Sequence, residues 1–223
     1  LKAFFARERW SGAAFLDMMR RYEVTPEMFM YRITQLIPKR FGLKGLHFLR
    51  INQDVASGRQ RVSKQLNMSG LLIPAEMGLH EHYCRRWGAS KLLAELEAHQ
   101  ARGEQDAPLV AAQQQRFLAS GDRYFMIALA RPLALTAGTN SCVTMGFRVD
   151  ARFRNTVRCW NDPDVPSEDV NETCERCGLS AEECAVRAAP PTLFTQRQAT
   201  QHRNDVLHKL LGRRDGHGQG GRG

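Results

Sequence analysis

The sequence has no apolar run near the ~18 residues a helix needs to cross a bilayer, and no basic-then-apolar leader. A soluble protein of the cytoplasm, without membrane contact, is the expectation. It also lacks His-Glu-x-x-His, which removes a metallopeptidase reading. No His/Asp/Ser set or pair of carboxylates falls at catalytic spacing and the histidines are scattered, so a role other than catalysis is expected. Around Cys174 and Cys177 there is no strand-then-helix pattern of βαβ type, the setting in which a C-x-x-C serves as a thioredoxin-type redox pair.

What remains is a chain of 223 residues, enough for one or two domains with a buried core. It starts at Leu1 directly in a helical pattern and reads as a piece of a longer protein. Its formal charge of +9, carried mostly by Arg, suits a polyanion such as DNA or a phosphate-bearing small molecule. Arg usage that serves only solubility gives the same charge.

Six cysteines in a reducing compartment favour metal binding over disulfides. Three of them crowd into Cys174-Glu175-Arg176-Cys177-Gly178-Leu179-Ser180-Ala181-Glu182-Glu183-Cys184, a stretch with little apolar content of its own. A C-x-x-C lets two sulfurs reach one metal across a turn, and four-sulfur coordination serves both zinc and iron-sulfur sites. Cys84, Cys142 and Cys159 compete for the fourth place. Cys142 falls in a strand, where a free Cys is commonly a small core residue, and Cys159 reads as core across a hairpin centred near Phe153. Cys84 lies in a loop, so the expected ligands are Cys84, Cys174, Cys177 and Cys184. His80 and His82 join Cys84 on one side only if that segment is extended, and they rank below it.

In chain order, helical periodicity runs from Leu1 to Leu36, broken at Val24-Thr25-Pro26-Glu27, where Thr25 caps a second helix that Pro38 is expected to end. The pair looks like a helix-turn-helix, but Met28, Met30 and Tyr31 suit packing better than base reading. Leu46–Ile51 and Val62–Leu66 read as a hairpin, Ser90–Ala101 as a helix, and Arg123–Ala130, Cys142–Val149 and Val157–Trp160 as strands. The acidic stretch Asp162–Thr173 reads as a solvated connector, and a helix is expected over Gln196–Leu211 before a disordered tail. The expected fold class is α+β, an antiparallel sheet flanked by helices with an N-terminal helical pair.

Cys174-x-x-Cys177, Cys184 and Arg187-Ala188-Ala189-Pro190-Pro191 together resemble the C-terminal region of bacterial XRE-family regulators of short-chain fatty acid, propionate and glyoxylate metabolism. Those regulators carry an ImmA/IrrE-like segment after their DNA-binding domain. Phe48-Leu49-Arg50-Ile51 with Val62-Ser63-Lys64, Cys84-Arg85-Arg86-Trp87 and Tyr124-Phe125-Met126-Ile127-Ala128 follow in the family's order. The resemblance implies a GAF/PAS-like sensor of acyl-CoA or a related metabolite, holding a 4Fe-4S cluster, with zinc as the alternative. It implies residues 1–40 as the helical end of the ImmA/IrrE-like segment, 41–194 as the sensor and 195–223 as a C-terminal helix and tail. DNA would be met by a helix-turn-helix upstream of Leu1, in a homodimer. Arg50, Arg85, Arg86 and Arg187, as neighbours of the landmarks, are the candidates for effector phosphates. Phe147 stands where the family often has Cys, and the spacer from Cys177 to Cys184 is longer than usual. The rival functions are a zinc-stabilised nucleic-acid-binding module and a cysteine-cluster redox enzyme.

Overall fold

A computed structural model describes residues 1–73, 81–104 and 108–215, with side chains to 211. Three helices open the chain: α1 Lys2–Phe5, α2 Gly12–Arg20 and α3 Pro26–Phe41. Ser11 Oγ caps α2 through the Ala14 N–H at 3.2 Å, and Thr25 Oγ1 caps α3 through the Met28 N–H at 3.3 Å, with Pro26 at the first helical position. Pro38 does not end α3. Its ring forfeits one backbone bond near the C-terminus, and the helix runs on until Gly42 turns left-handed at φ 69°.

The sheet has six strands: β1 Leu46–Asp54, β2 Gln60–Asn67, β3 Leu109–Phe117, β4 Arg123–Pro132, β5 Thr139–Arg148 and β6 Ser167–Val170, in the order β2-β1-β5-β4-β3-β6. All pairings are antiparallel except β6 on β3, so the sheet is mixed rather than antiparallel. The parallel strand comes from the stretch expected to be a solvated connector. Its Val170 is buried, and the crossover a parallel pair requires is supplied by α5 Ala151–Thr156 and the 3-10 helix Arg158–Asn161. That helical pair also replaces the expected strand over Val157–Trp160. The Asp150 carboxylate caps the Phe153 N–H at 2.8 Å and sets the backbone turning.

Both faces of the sheet are covered, which is why β4 and β5 are buried almost end to end. Phe48, Phe125, Ile127, Leu129, Val143, Met145 and Phe147 pack with Phe4, Phe5 and residues of α2 and α3, so the N-terminal helices share the core of the sheet. The opposite residues Leu49, Ile51, Tyr124, Ala128, Ala130 and Cys142 pack with Leu92, Leu93 and Leu96 of α4 Gly88–Ala101. On this second face Gly146 lets the His47 ring and Met126 Sδ lie against the backbone, since a Cβ there would be 2.3 Å from each. Ser69 Oγ accepts the Leu71 N–H and gives its one proton to Asn67 Oδ1, so His47 Nδ1 donates to Ser69 at 3.0 Å. His47 Nε2 then has no hydrogen-bond partner among the described residues, and burial pushes this imidazole down to about 3.

β2 and β6 form the two edges. Past β6 an irregular segment leads to α6 Thr192–Asp215, exposed at every residue from Thr195 to Leu211.

Candidate metal centre

Two irregular segments meet beyond β6. Tyr83 and Thr173 form an isolated antiparallel bridge, the Cys174 N–H donates to His82 O at 2.9 Å, and the Cys84 N–H donates to Glu172 O at 3.3 Å. Trp87 Nε1 donates to Asn171 O at 2.8 Å. Two carboxylates tighten the seam. Glu81 accepts Arg176 Nε at 2.7 Å, Arg176 Nη2 at 2.8 Å and Thr173 Oγ1 at 2.9 Å, while Glu175 accepts the His82 N–H at 2.9 Å and pairs with His82 Nδ1 at 2.8 Å. Charge-assisted, multidentate contacts of this kind hold a backbone that has no ladder of its own. Tyr83, Cys84, Trp87 and Val170 anchor the seam in the core beneath α4.

This seam brings Cys84, Cys174, Cys177 and Cys184 onto the wall of one small cavity of about 10 Å³, with Arg85, Arg86 and Arg187 beside them. The four come from two segments about ninety residues apart in the chain. Backbone amides address the sulfurs: the Ala188 N–H donates to Cys174 Sγ at 3.3 Å, the amides of Asn171 and Arg86 face Cys84, and that of Leu179 faces Cys177. The Arg187 guanidinium fastens the loop from inside, donating to the carbonyls of Leu179, Cys174 (3.1 Å) and Ala189 (3.0 Å).

Burial pushes the Cys84 thiol up to about 11, against the pull of its two amides, and burial also raises Cys177 against the Leu179 amide and the Arg187 charge. Without a cation these two sulfurs hold their protons at neutral pH; a bound metal would displace them. Among the described residues, no group of three or more His, Cys, Asp or Glu side chains meets the geometry of a bound metal ion. A closed zinc site would draw all four sulfurs to ~2.3 Å from one centre. A four-iron cluster would instead give each sulfur its own iron. Asn171 adds a second observation, since its buried Oδ1 has no partner among the described residues and the residue lines the same cavity. Four thiols on one cavity are a donor set that suits thiolate-ligated metal, zinc and iron-sulfur alike.

The remaining sequence candidates lie elsewhere. Cys142 is fully buried in β5 beneath α4, where burial drives its thiol far up, and Cys159 is buried beside the N-terminal helices. Neither lines the cavity. His80 lies outside the described residues, and His82 spends Nδ1 on Glu175. Arg50 pairs with Glu27 at 2.7 Å and with Ser63 at 2.8 Å on the far side of the molecule, and Arg86 pairs with Glu168 at 3.0 Å. Arg85 makes one long contact, 3.4 Å to Gly58 O.

Sequence reasoning missed Glu81, Glu175 and Asn171, because a carboxylate's partner ninety residues away leaves no local signal. It also missed an open groove of about 460 Å³ where Arg154 lies 5.1 Å over the Trp160 ring beside Arg158. Arg154 and Arg158 stand four residues apart there, a signal obscured when the stretch is taken for a strand.

Among the described residues, no helix is long and apolar enough to cross a membrane. No protein-family model, curated protein or solved structure matches this chain.

Proposed function

We propose that this chain is the effector-sensing domain of a bacterial transcriptional regulator of short-chain acyl-CoA, fatty acid or glyoxylate metabolism, non-catalytic, with an iron-sulfur cluster held by Cys84, Cys174, Cys177 and Cys184. The observation that carries the metal part is the convergence of these four thiols, from two distant segments, on one amide-lined cavity. A bound cluster supplies a redox-responsive or structural centre. The chain's own part is to aim the sulfurs, supply N–H groups to them, and set Arg86 and Arg187 beside the thiolate charge.

The sensor type we propose is GAF/PAS-like, and its effector is an acyl-CoA or a related phosphorylated metabolite. Arg50, Arg86 and Arg187 are engaged within the fold, which moves the phosphate-binding role toward Arg85 and toward the groove of Arg154, Arg158 and Trp160. The effector shifts the equilibrium between two conformations only through unequal affinity for them. DNA is met by an upstream helix-turn-helix in a homodimer, and the protein works in the cytoplasm.

The test is an absorption spectrum of anaerobically purified protein with iron, sulfide and zinc assayed on the same sample. A broad shoulder near ~400 nm with iron and sulfide, lost in Cys84→Ser and Cys177→Ser, is the expected result. Stoichiometric zinc without sulfide would replace the cluster by a structural ion, and folded protein free of metal would remove the site.

A further inference from the structure

We infer that the thiol loop is the nucleus on which α6 folds, so that what the cysteines hold decides whether this helix exists. The inference rests on reading the thiols as ligands and concerns how their state leaves the site.

The first N–H groups of any helix lack acceptors inside it. In α6 the Phe194 N–H finds one in the thiol loop, at Glu175 O, 2.9 Å away. The Phe194 ring lies over Gly178, where a Cβ would come within 2.5 Å of its Cζ. A side chain at 178 would push the ring off, so the bare residue and the aromatic form one joint. Glu175 sits between Cys174 and Cys177, and Gly178 follows Cys177 directly. Both halves of the joint are therefore set by the path the backbone takes to present those two sulfurs.

Beyond Phe194, every described side chain of α6 is exposed. Nucleation is the unfavourable step of helix formation, and a helix without packing depends on whatever fixes its first turn. The stretch after Phe194 mixes good helix formers such as Gln196, Arg197, Ala199, Leu207 and Leu210 with Thr195, Thr200, Asn204 and Gly212, so propensity alone leaves an unpacked helix of this length marginal. Arg187 ties the same loop through three carbonyls, and cysteines drawn to a metal would fix its path further, so the first turn is firmer with the site filled. Folding α6 gathers Val206, Leu207, Leu210 and Leu211 on one side of a helix. Melting it scatters them, an order-to-disorder output readable at a distance from the cysteines.

The experiment is hydrogen-exchange mass spectrometry with far-ultraviolet circular dichroism on the whole chain, reconstituted anaerobically with iron and sulfide and then stripped of metal. The expected result is at least tenfold faster exchange over 195–211 on stripping, no change in peptides from β4, and a loss of helical signal matching the 24 residues of α6. Phe194→Ala should give the same acceleration with the metal still bound. Metal removal that leaves 195–211 unchanged overturns the inference. If the chain takes up neither iron nor zinc, the ligand reading fails separately, and Phe194→Ala still decides the joint: unchanged exchange over 195–211 in that variant overturns it.

Discussion

On the face beneath α2 and α3, Phe15 meets Phe4 and Phe29 edge to face at 5.5 and 5.6 Å, and Phe5 meets Phe147 the same way at 6.2 Å. At the thiol end, order comes from a single bridge, two carboxylates and two guanidiniums, those of Arg176 and Arg187, around four thiols. The first region is stabilised by removing apolar surface from water, which works at any register the side chains can fill. The second depends on a few directional contacts whose loss leaves little behind. A chain built this way should keep its sheet when the thiol end opens and lose everything when the aromatic face is cut.

The strongest way to break the contrast is Phe125→Ala. This ring is fully buried against Trp10 and Phe153, and its removal should cost about 3–5 kcal/mol of global stability in denaturant unfolding. A shift confined to the thiol end would contradict the division.

Acid probes the other face of the same sheet, beneath α4, through His47. Its folded imidazole sits at about 3 against 6.5 in the unfolded chain, so as pH falls the unfolded state takes up the proton first. The stability from burying the neutral ring is complete above about pH 6.5 and declines by about 1.4 kcal/mol per unit as pH drops toward 4. His47→Asn should flatten that slope in unfolding measured from pH 7 to 4.

At the other region, Glu81→Gln removes the charge and turns one of the two oxygens that accept from Arg176 into an NH2 donor, and should ease local opening by roughly 1–3 kcal/mol. Hydrogen exchange near Thr173 should accelerate while the denaturant midpoint stays put. The smallest effect is expected from Cys159→Ala, buried in the aromatic face: a stability change of about 1 kcal/mol and unchanged metal content, against complete loss of metal in Cys84→Ser.

The strands that periodicity marks, from Leu46 and from Arg123, are present because alternating or continuous apolar runs carry their own record of burial. Thr25 and Pro26 likewise announce α3 locally. Pro38 misleads because a proline near a helix end removes one bond without stopping the chain, and the true stop, Gly42, lies four residues on. β6 was unreadable for another reason. Ser-Glu-Asp-Val is polar, and only its place beside β3 makes it a strand. The loop cysteines stand out through density in the sequence, and Cys84 through its turn-rich setting. The seam that brings Cys84 to them is written in Glu81, Glu175 and Asn171, whose meaning appears only after folding.

The outer margins of the sheet carry a consequence for self-assembly. β2, the margin beyond β1, has no buried residue and holds the exposed Arg61 and Lys64, charges that discourage another strand from adding to it. β6, the opposite margin, spans four residues before the chain veers into the thiol loop. Among the described residues neither edge offers a long apolar template, which disfavours self-assembly by strand addition there.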